Sequence, residues 1–170
     1  MTTNQKRNLT FKPLCHFDAK NIFFGYASIE ECVQWMNWDI HKEIVDTINY
    51  IDSCIQKKYR IYSVYENQDF IGAVDLRFLE NNTLEVGYVV AKSKWNQGYA
   101  TDMLKSFIQD LFKNHTVEKI IAHCAVANLQ SKKVLEKNGF QVKMLKKDYY
   151  VLNNQGRRLT DAYMLELRTT

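Results

Sequence analysis

The chain is short of the residues that punctuate or staple a fold. It has one proline, Pro13, and six glycines in 170 residues, so no proline-rich linker divides it and one domain over residues 1–170 is expected. No apolar run approaches the roughly 18 residues of a membrane helix, and the polar start MTTNQKRNLTFKPL lacks the apolar centre of a secretion signal. A soluble, cytoplasmic chain is expected, with no membrane partner. The four cysteines, Cys15, Cys32, Cys54 and Cys124, form no CxxC pair and no short Cys/His ligand spacing, which argues against a metal site. Neighbours on a strand point to opposite faces, so His123 and Cys124 cannot act as a base and its nucleophile. The excess of 23 basic over 19 acidic residues gives a net charge of +4, too mild to imply nucleic acid. Neither GxxxxGK[ST] nor GxGxxG is present.

What is there is an aromatic-rich chain, at 13% Phe, Trp and Tyr, with clear changes of period. Leu9–Leu14 reads as a strand and Phe17–Tyr26 as a helix. Ser28 and Glu31 have capping-box spacing ahead of a helical pattern. Ile44, Ile48, Ile51 and Ile55 make a helical stripe within His41–Lys57. Residues 60–66, 70–79 and 84–91 then read as an antiparallel meander, the last nearly all apolar and therefore central. A wide helical stripe runs from Met103 to Phe112. Lys119–Val126 is a buried strand, Asn128–Lys137 a helix stopped at Asn138–Gly139, Phe140–Leu145 a strand, Asn153–Gly156 a turn and Leu159–Leu167 the last strand.

The chemistry-bearing stretch is KWNQGYATDM, Lys94 to Met103, between the apolar strand and the amphipathic helix. The first amides of a helix lack carbonyl partners and carry the positive end of its dipole. A glycine there lets backbone N–H groups come close to an anion. Gln97, Gly98, Tyr99, Ala100 and Thr101 could cradle a pyrophosphate, with Ala100 small enough to leave room. On spacing alone, a plain structural turn is the better-supported reading.

The longer pattern, EVGYVVAKSKWNQGYATDMLKSFIQDLF followed by NLQSKKVLEKNGF, resembles the cofactor-binding half of the GNAT acyltransferases, in particular the branch of ribosomal-protein N-terminal acetyltransferases. The family's Gln/Arg-x-x-Gly-x-Gly/Ala turn is matched by Asn96 to Ala100, with Trp95 in place of the leading Gln or Arg. The resemblance implies an α/β (α+β) fold: a central mixed, mostly antiparallel sheet of about six to seven strands, helices on both faces, and a parallel strand pair that splays. It implies transfer of an acetyl group from acetyl-CoA to an amine acceptor, without metal, by a monomer or homodimer.

Carried onto this chain, the resemblance places the pyrophosphate on residues 95–101. The pantetheine arm would lie on the backbone near Val89 and Val90 and on Asn128, with Lys133 within reach of phosphates. Glu85, an acid inside an apolar strand, matches a base of some relatives; a salt-bridged structural carboxylate is the competing reading. The family's tyrosine acid is replaced by Leu135, and Ser131 is the nearest substitute, unless it only supports the helix start. Trp35, Asn37 and Trp38, with Tyr149, Tyr150 and Asn153 in the loop before the last strand, would face the acceptor. A protein N-terminal amine, a small amine such as a polyamine or an aminoglycoside, and a non-catalytic CoA-binding role all remain open, because fold does not set substrate.

Overall fold

The computed structural model describes residues 7–114, 117–152 and 156–168. Seven strands form one sheet: β1 Leu9–Pro13, β2 Arg60–Glu66, β3 Asp69–Phe78, β4 Thr83–Val90, β5 Lys119–Ala125, β6 Gln141–Leu152 and β7 Arg158–Arg168. Their order across the sheet is β1-β2-β3-β4-β5-β7-β6, with β4 in the centre. The helices are α1 Ala19–Ile22, α2 Glu30–Val33, α3 Ile44–Gln56, α4 Tyr99–Asn114 and α5 Leu129–Lys137. The element order and the mixed, mostly antiparallel sheet match the expectation.

Alternation on β4 sorts the core into two layers. Leu84, Val86 and Val90 join Met103, Leu104, Phe107, Ile120, Leu135 and Leu165 in the layer under α4 and α5. Val89 faces the other way, with Ala73, Phe70 and Ile61, toward Ile22, Tyr26, Cys32 and Ile51 of the first helices. Helices therefore cover both faces.

The strand pair β4 and β5 is parallel, so it needs a crossover, and α4 supplies it. The pairing lasts three residues, Thr83 with Lys119, Leu84 with Ile120 and Glu85 with Ile121. Beyond Glu85 the strands part. β5 is held on its far side by seven registered residues of β7, Lys119↔Arg168 through Ala125↔Ala162. β4 is held by β3 along Gly72↔Val90 to Phe78↔Leu84. Each parted strand keeps a full partner, so the opening costs little ladder.

Several local expectations are corrected. Ser28 does not cap α2: its hydroxyl donates to the Phe23 carbonyl at 2.7 Å, and Ile29 holds the cap position without a side-chain bond. The helix expected over Phe17–Tyr26 is a short 3-10 turn, His16–Asp18, then α1, then a wide π turn over Phe23–Ala27. Phe17 is 96% exposed and adds nothing to the core. α3 starts on a box made by Glu43 and Asp46. Strand β6 runs on to Leu152, with its register broken between Lys146 and Tyr150, so Tyr149 and Tyr150 lie on a strand rather than in a loop. Asn153 and most of the expected turn lie outside the described residues.

Candidate active site

A cleft of about 380 Å³ opens where β4 and β5 part, within the range of small-molecule sites, roughly 300–1,000 Å³. Its floor is β4 at Tyr88, Val89 and Val90. One wall is the turn and helix start at Trp95, Asn96, Gly98, Tyr99, Ala100 and Thr101, another is α5 at Asn128, Ser131 and Lys133, and the roof holds Trp35 and Met36.

The turn is shaped by backbone. Asn96 and Gly98 both take positive φ, 58° and 83°, a region that glycine enters freely and asparagine tolerates. The first bond of the α4 ladder runs from the Asp102 amide to the Gly98 carbonyl at 3.1 Å, so the amides of Gly98 to Thr101 precede it. Arg7, which sequence reasoning missed, clamps the turn from behind. Its guanidinium donates to Asp102 at 2.8 Å and to the Gln97 carbonyl at 2.7 Å, and lies 3.7 Å over the Tyr99 ring. Tyr99 donates to Glu66 at 2.6 Å. These contacts occupy the far side of the turn and leave its amide side to the cleft. Gln97 departs from expectation: it is exposed, absent from the cleft lining, and folds its amide back onto the Ser93 carbonyl at 2.8 Å.

Trp95 lines the cleft. Its indole N–H donates to the Val90 carbonyl at 2.9 Å, and Lys92 stands 4.1 Å over its ring. The Ala91 amide bonds the Ile71 carbonyl of β3. Strand alternation therefore turns the Val89 amide to β3 as well, and the Val90 and Tyr88 amides to the parted edge. Of the two amides anticipated, Val90 is the one facing the cleft, while Val89 contributes its lining.

Asn128 caps α5, its side-chain oxygen accepting from the Ser131 amide at 3.1 Å, and it also faces the cleft. Ser131 shares a hydrogen bond with the Tyr88 hydroxyl at 2.9 Å. Burial pushes the Tyr88 hydroxyl up, so it stays protonated. A tyrosine thus reaches this point from β4, not from α5, where Leu135 is only 1% exposed and belongs to the core. Lys133 and Lys137 line the cleft without an ion pair among the described residues, whereas Lys132 pairs with Glu136 at 3.3 Å.

The opposite face of the opening is charged. Glu85 does not line the cleft. It is the last β4 residue paired with β5, its side chain 17% exposed. Its carboxylate accepts from His123 Nδ1 at 2.7 Å and lies 3.5 Å from Arg77. The His123 hydrogen bond, then the Arg77 charge, hold Glu85 below the ordinary carboxylate range against its burial. Beside it, Asp75 packs so tightly on bare Gly87 that a Cβ there would sit 2.0 Å from its carboxylate oxygen. Burial, more than the neighbouring Glu85 charge, raises the Asp75 carboxyl. Tyr150 belongs to this face: burial, then the Asp75 charge, push its hydroxyl up to about 12.

The aromatic residues of the first region separate. Trp35 lines the cleft. Trp38 packs instead among Tyr26, His41 and Tyr50 at 5.5–6.3 Å, and Asn37 is exposed. No group of three or more His, Cys, Asp or Glu suited to a metal occurs among the described residues, and no helix there is long and apolar enough to cross a membrane.

Residues 8–141 match the family model described as "Acetyltransferase (GNAT) domain". Similar curated proteins include an uncharacterized N-acetyltransferase, YjdG, of Bacillus subtilis, 35% identical over 52% of this chain and 51% of that one. The uncharacterized N-acetyltransferase p20 of Bacillus licheniformis is 26% identical over 98% and 96%. The ribosomal-protein-serine acetyltransferase of Escherichia coli is 26% identical over 56% and 54%. For YjdG and the Escherichia coli enzyme, the match spans about half the relative's length. Among solved structures, a GNAT-family acetyltransferase from Bacillus anthracis superposes with TM-score 0.84 at 20% identity, covering 96% of each chain. Spermidine N-acetyltransferase from Vibrio cholerae, in complex with CoA and spermine, gives 0.78 at 18% identity, covering 94% and 95%. RimL, a ribosomal L7/L12 α-N-protein acetyltransferase in complex with coenzyme A, gives 0.80 at 17% identity, covering 94% and 93%. With its parted parallel strands, its glycine turn and the family match over residues 8–141, this chain belongs to the GNAT acetyltransferases.

Proposed function

We propose that the protein is one domain that moves the acetyl group of acetyl-CoA to a primary amine by direct attack while both substrates are bound, and that the amine is a protein N-terminus. The observation that carries the reading is the parted β4–β5 edge running into the Gly98 turn. Its free amides, with Lys133 and Lys137 beside them, fit a pyrophosphate and an extended amide-bearing arm. Residues 95, 96 and 98–101 hold the phosphates, and Val90, Tyr88 and Asn128 hold the arm. A backbone donor on β4 polarises the thioester carbonyl where charge develops during attack. The Tyr88–Ser131 pair places a hydroxyl proton at the cleft wall, where the departing sulfur needs one. Glu85 marks the side on which the amine gives up its proton.

The acceptor face bears on the substrate class. Asp75 and Glu85 are offset by Arg77, 3.5 Å from each, and Lys146 adds a further positive charge that Glu85 senses. Glu31 is paired with Lys92 at 3.1 Å. This balance suits a single amine better than a polycation, and agrees with the ribosomal-protein-serine acetyltransferase among the relatives. The second reading is a small amine, supported by the fold shared with spermidine N-acetyltransferase and the aromatic wall at Trp35.

The test is thiol release from acetyl-CoA with short peptides bearing free N-termini, spermidine and an aminoglycoside. Turnover with peptides alone supports the first reading, and with small amines alone the second. Binding of CoA without turnover of any amine would leave a cofactor-binding module.

A further inference from the structure

Resting on the acetyl-transfer reading, we infer that the atom taking the proton from the acceptor amine is Nε2 of His123, and that Glu85 is its positioning residue. His123 lies on β5 two residues past Ile121, the last residue paired with β4. Its side chain is therefore on the same face as Glu85, at the lip of the opening. On β4, Gly87 lies two residues past Glu85 and presents no side chain of its own.

The imidazole is 6% exposed. Its Nδ1 is 2.7 Å from the Glu85 carboxylate, which can only accept, so Nδ1 carries the proton. Nε2 is buried and has no hydrogen-bond partner among the described residues. Protonating it would leave an unmatched N–H in the interior, so in the resting site Nε2 presents a lone pair. A histidine kept only for packing would gain nothing from an orphaned nitrogen. A histidine held by a carboxylate with its other nitrogen bare is the arrangement of a proton acceptor, since the carboxylate fixes the tautomer and steadies the imidazolium once formed.

The groups around the His123–Glu85 pair are Met164 opposite His123 on β7, Tyr149 against its ring on β6, and, acting on Glu85, Asp75 and Arg77 on β3 and Lys146 on β6. The His123 hydrogen bond first, and then the Arg77 charge, hold Glu85 below the ordinary carboxylate range. The Tyr149 ring lies 4.8 Å from the imidazole, yet Tyr149 is 46% exposed. A rotamer change of this surface side chain gives an incoming amine its path.

The acceptor ammonium gives one proton to Nε2. Its freed lone pair forms the C–N bond to the acetyl carbon as the C–S bond breaks. The sulfur leaves with that bond's electrons and gains the second proton, relayed by Ser131, and the third stays on the amide. The imidazolium returns its proton to water.

The experiment takes the best acceptor of the panel above. His123→Gln lowers its turnover about 100-fold or more, with the CoA affinity of the unaltered chain. Substituted imidazoles restore turnover to His123→Gly at rates that rise with their basicity, which a space-filling role would not produce. Independently, 15N spectra of histidine-labelled protein with CoA show His123 protonated at Nδ1 and bare at Nε2. Turnover of His123→Gln within threefold of the unaltered chain, rescue indifferent to basicity, or a protonated Nε2 in the resting site would each overturn the assignment. Absence of turnover by the unaltered chain would instead sink the acetyl-transfer reading, and this inference with it.

Discussion

The two faces of the β4–β5 opening are built from different materials. The cleft face is mostly backbone: helix-start amides at Gly98 to Thr101, strand amides at Tyr88 and Val90, and a cap at Asn128. The face proposed for the acceptor is side chains in mutual contact, Asp75, Arg77, Glu85 and His123, contributed by three strands. Backbone donors stay in place when neighbouring side chains change, whereas a charge cluster depends on each member. The cleft face should therefore be sensitive to φ and tolerant of side-chain identity, and the acceptor face the reverse.

On the cleft face, Gly98→Val gives the largest effect. Space is not the obstacle, since the nearest atom to a Cβ there is 3.9 Å away. The strain is the φ of +83°, which costs a β-branched residue on the order of 1–3 kcal/mol, a loss of roughly 10- to 100-fold in CoA affinity by titration calorimetry.

On the other face, Gly87→Ala drives its methyl into Asp75. Overpacking of about 1–3 kcal/mol lowers the melting temperature by roughly 3–10 °C. Asp75→Ala in the same chain recovers most of it. Additive losses would show that the two sites do not touch.

Ser131→Ala lowers kcat about tenfold and leaves KM for acetyl-CoA alone, because a thiolate is a tolerable leaving group. Tyr88→Phe does much the same, and the double variant is no worse than either single one if the two hydroxyls act as a unit.

Trp95→Ala weakens CoA about fivefold, from lost packing and the Lys92 contact. A loss larger than that of Gly98→Val would show side-chain recognition of the cofactor on a face assigned here to backbone.

The smallest effect is Asp75→Asn on stability against pH. Burial raises the Asp75 carboxyl in the folded chain. Its contribution is complete below the unfolded pKa and is lost as pH rises through the folded one. The asparagine variant should therefore gain relative stability from mildly acidic toward neutral pH in urea titrations. Glu85→Gln has the opposite sign: the lowered Glu85 contributes above its unfolded pKa, and that contribution is lost as pH falls through the folded one.

The two faces were also unequally legible in the sequence. Residues 95–101 and 128–133 are contiguous, and their roles follow from local rules: an amide-rich helix start, a left-handed glycine, an asparagine cap. Gln97 escaped because whether a turn side chain points in or out depends on what meets it, here the Ser93 carbonyl. The acceptor aromatics divided for a similar reason. Trp35 and Trp38 are three residues apart, yet one lines the cleft and the other packs against Tyr26 and Tyr50. Glu85 stood out as an acid in an apolar strand, but its partner is 38 residues away.

By itself the sequence determined the order of the elements, the central place of β4, the glycine turn and the family, because these rest on periodicity and short-range backbone geometry. Only the tertiary structure decided that β4 and β5 part after Glu85, that Tyr88 meets Ser131, that Arg7 clamps the turn, and that His123 sits on Glu85 with one nitrogen bare. Those are contacts between elements far apart in the chain: a register shift of one residue would turn Glu85, Tyr88 and His123 to the other face, and Ser131 on α5 and Arg7 ahead of β1 meet their partners only once helix and chain start pack on the sheet.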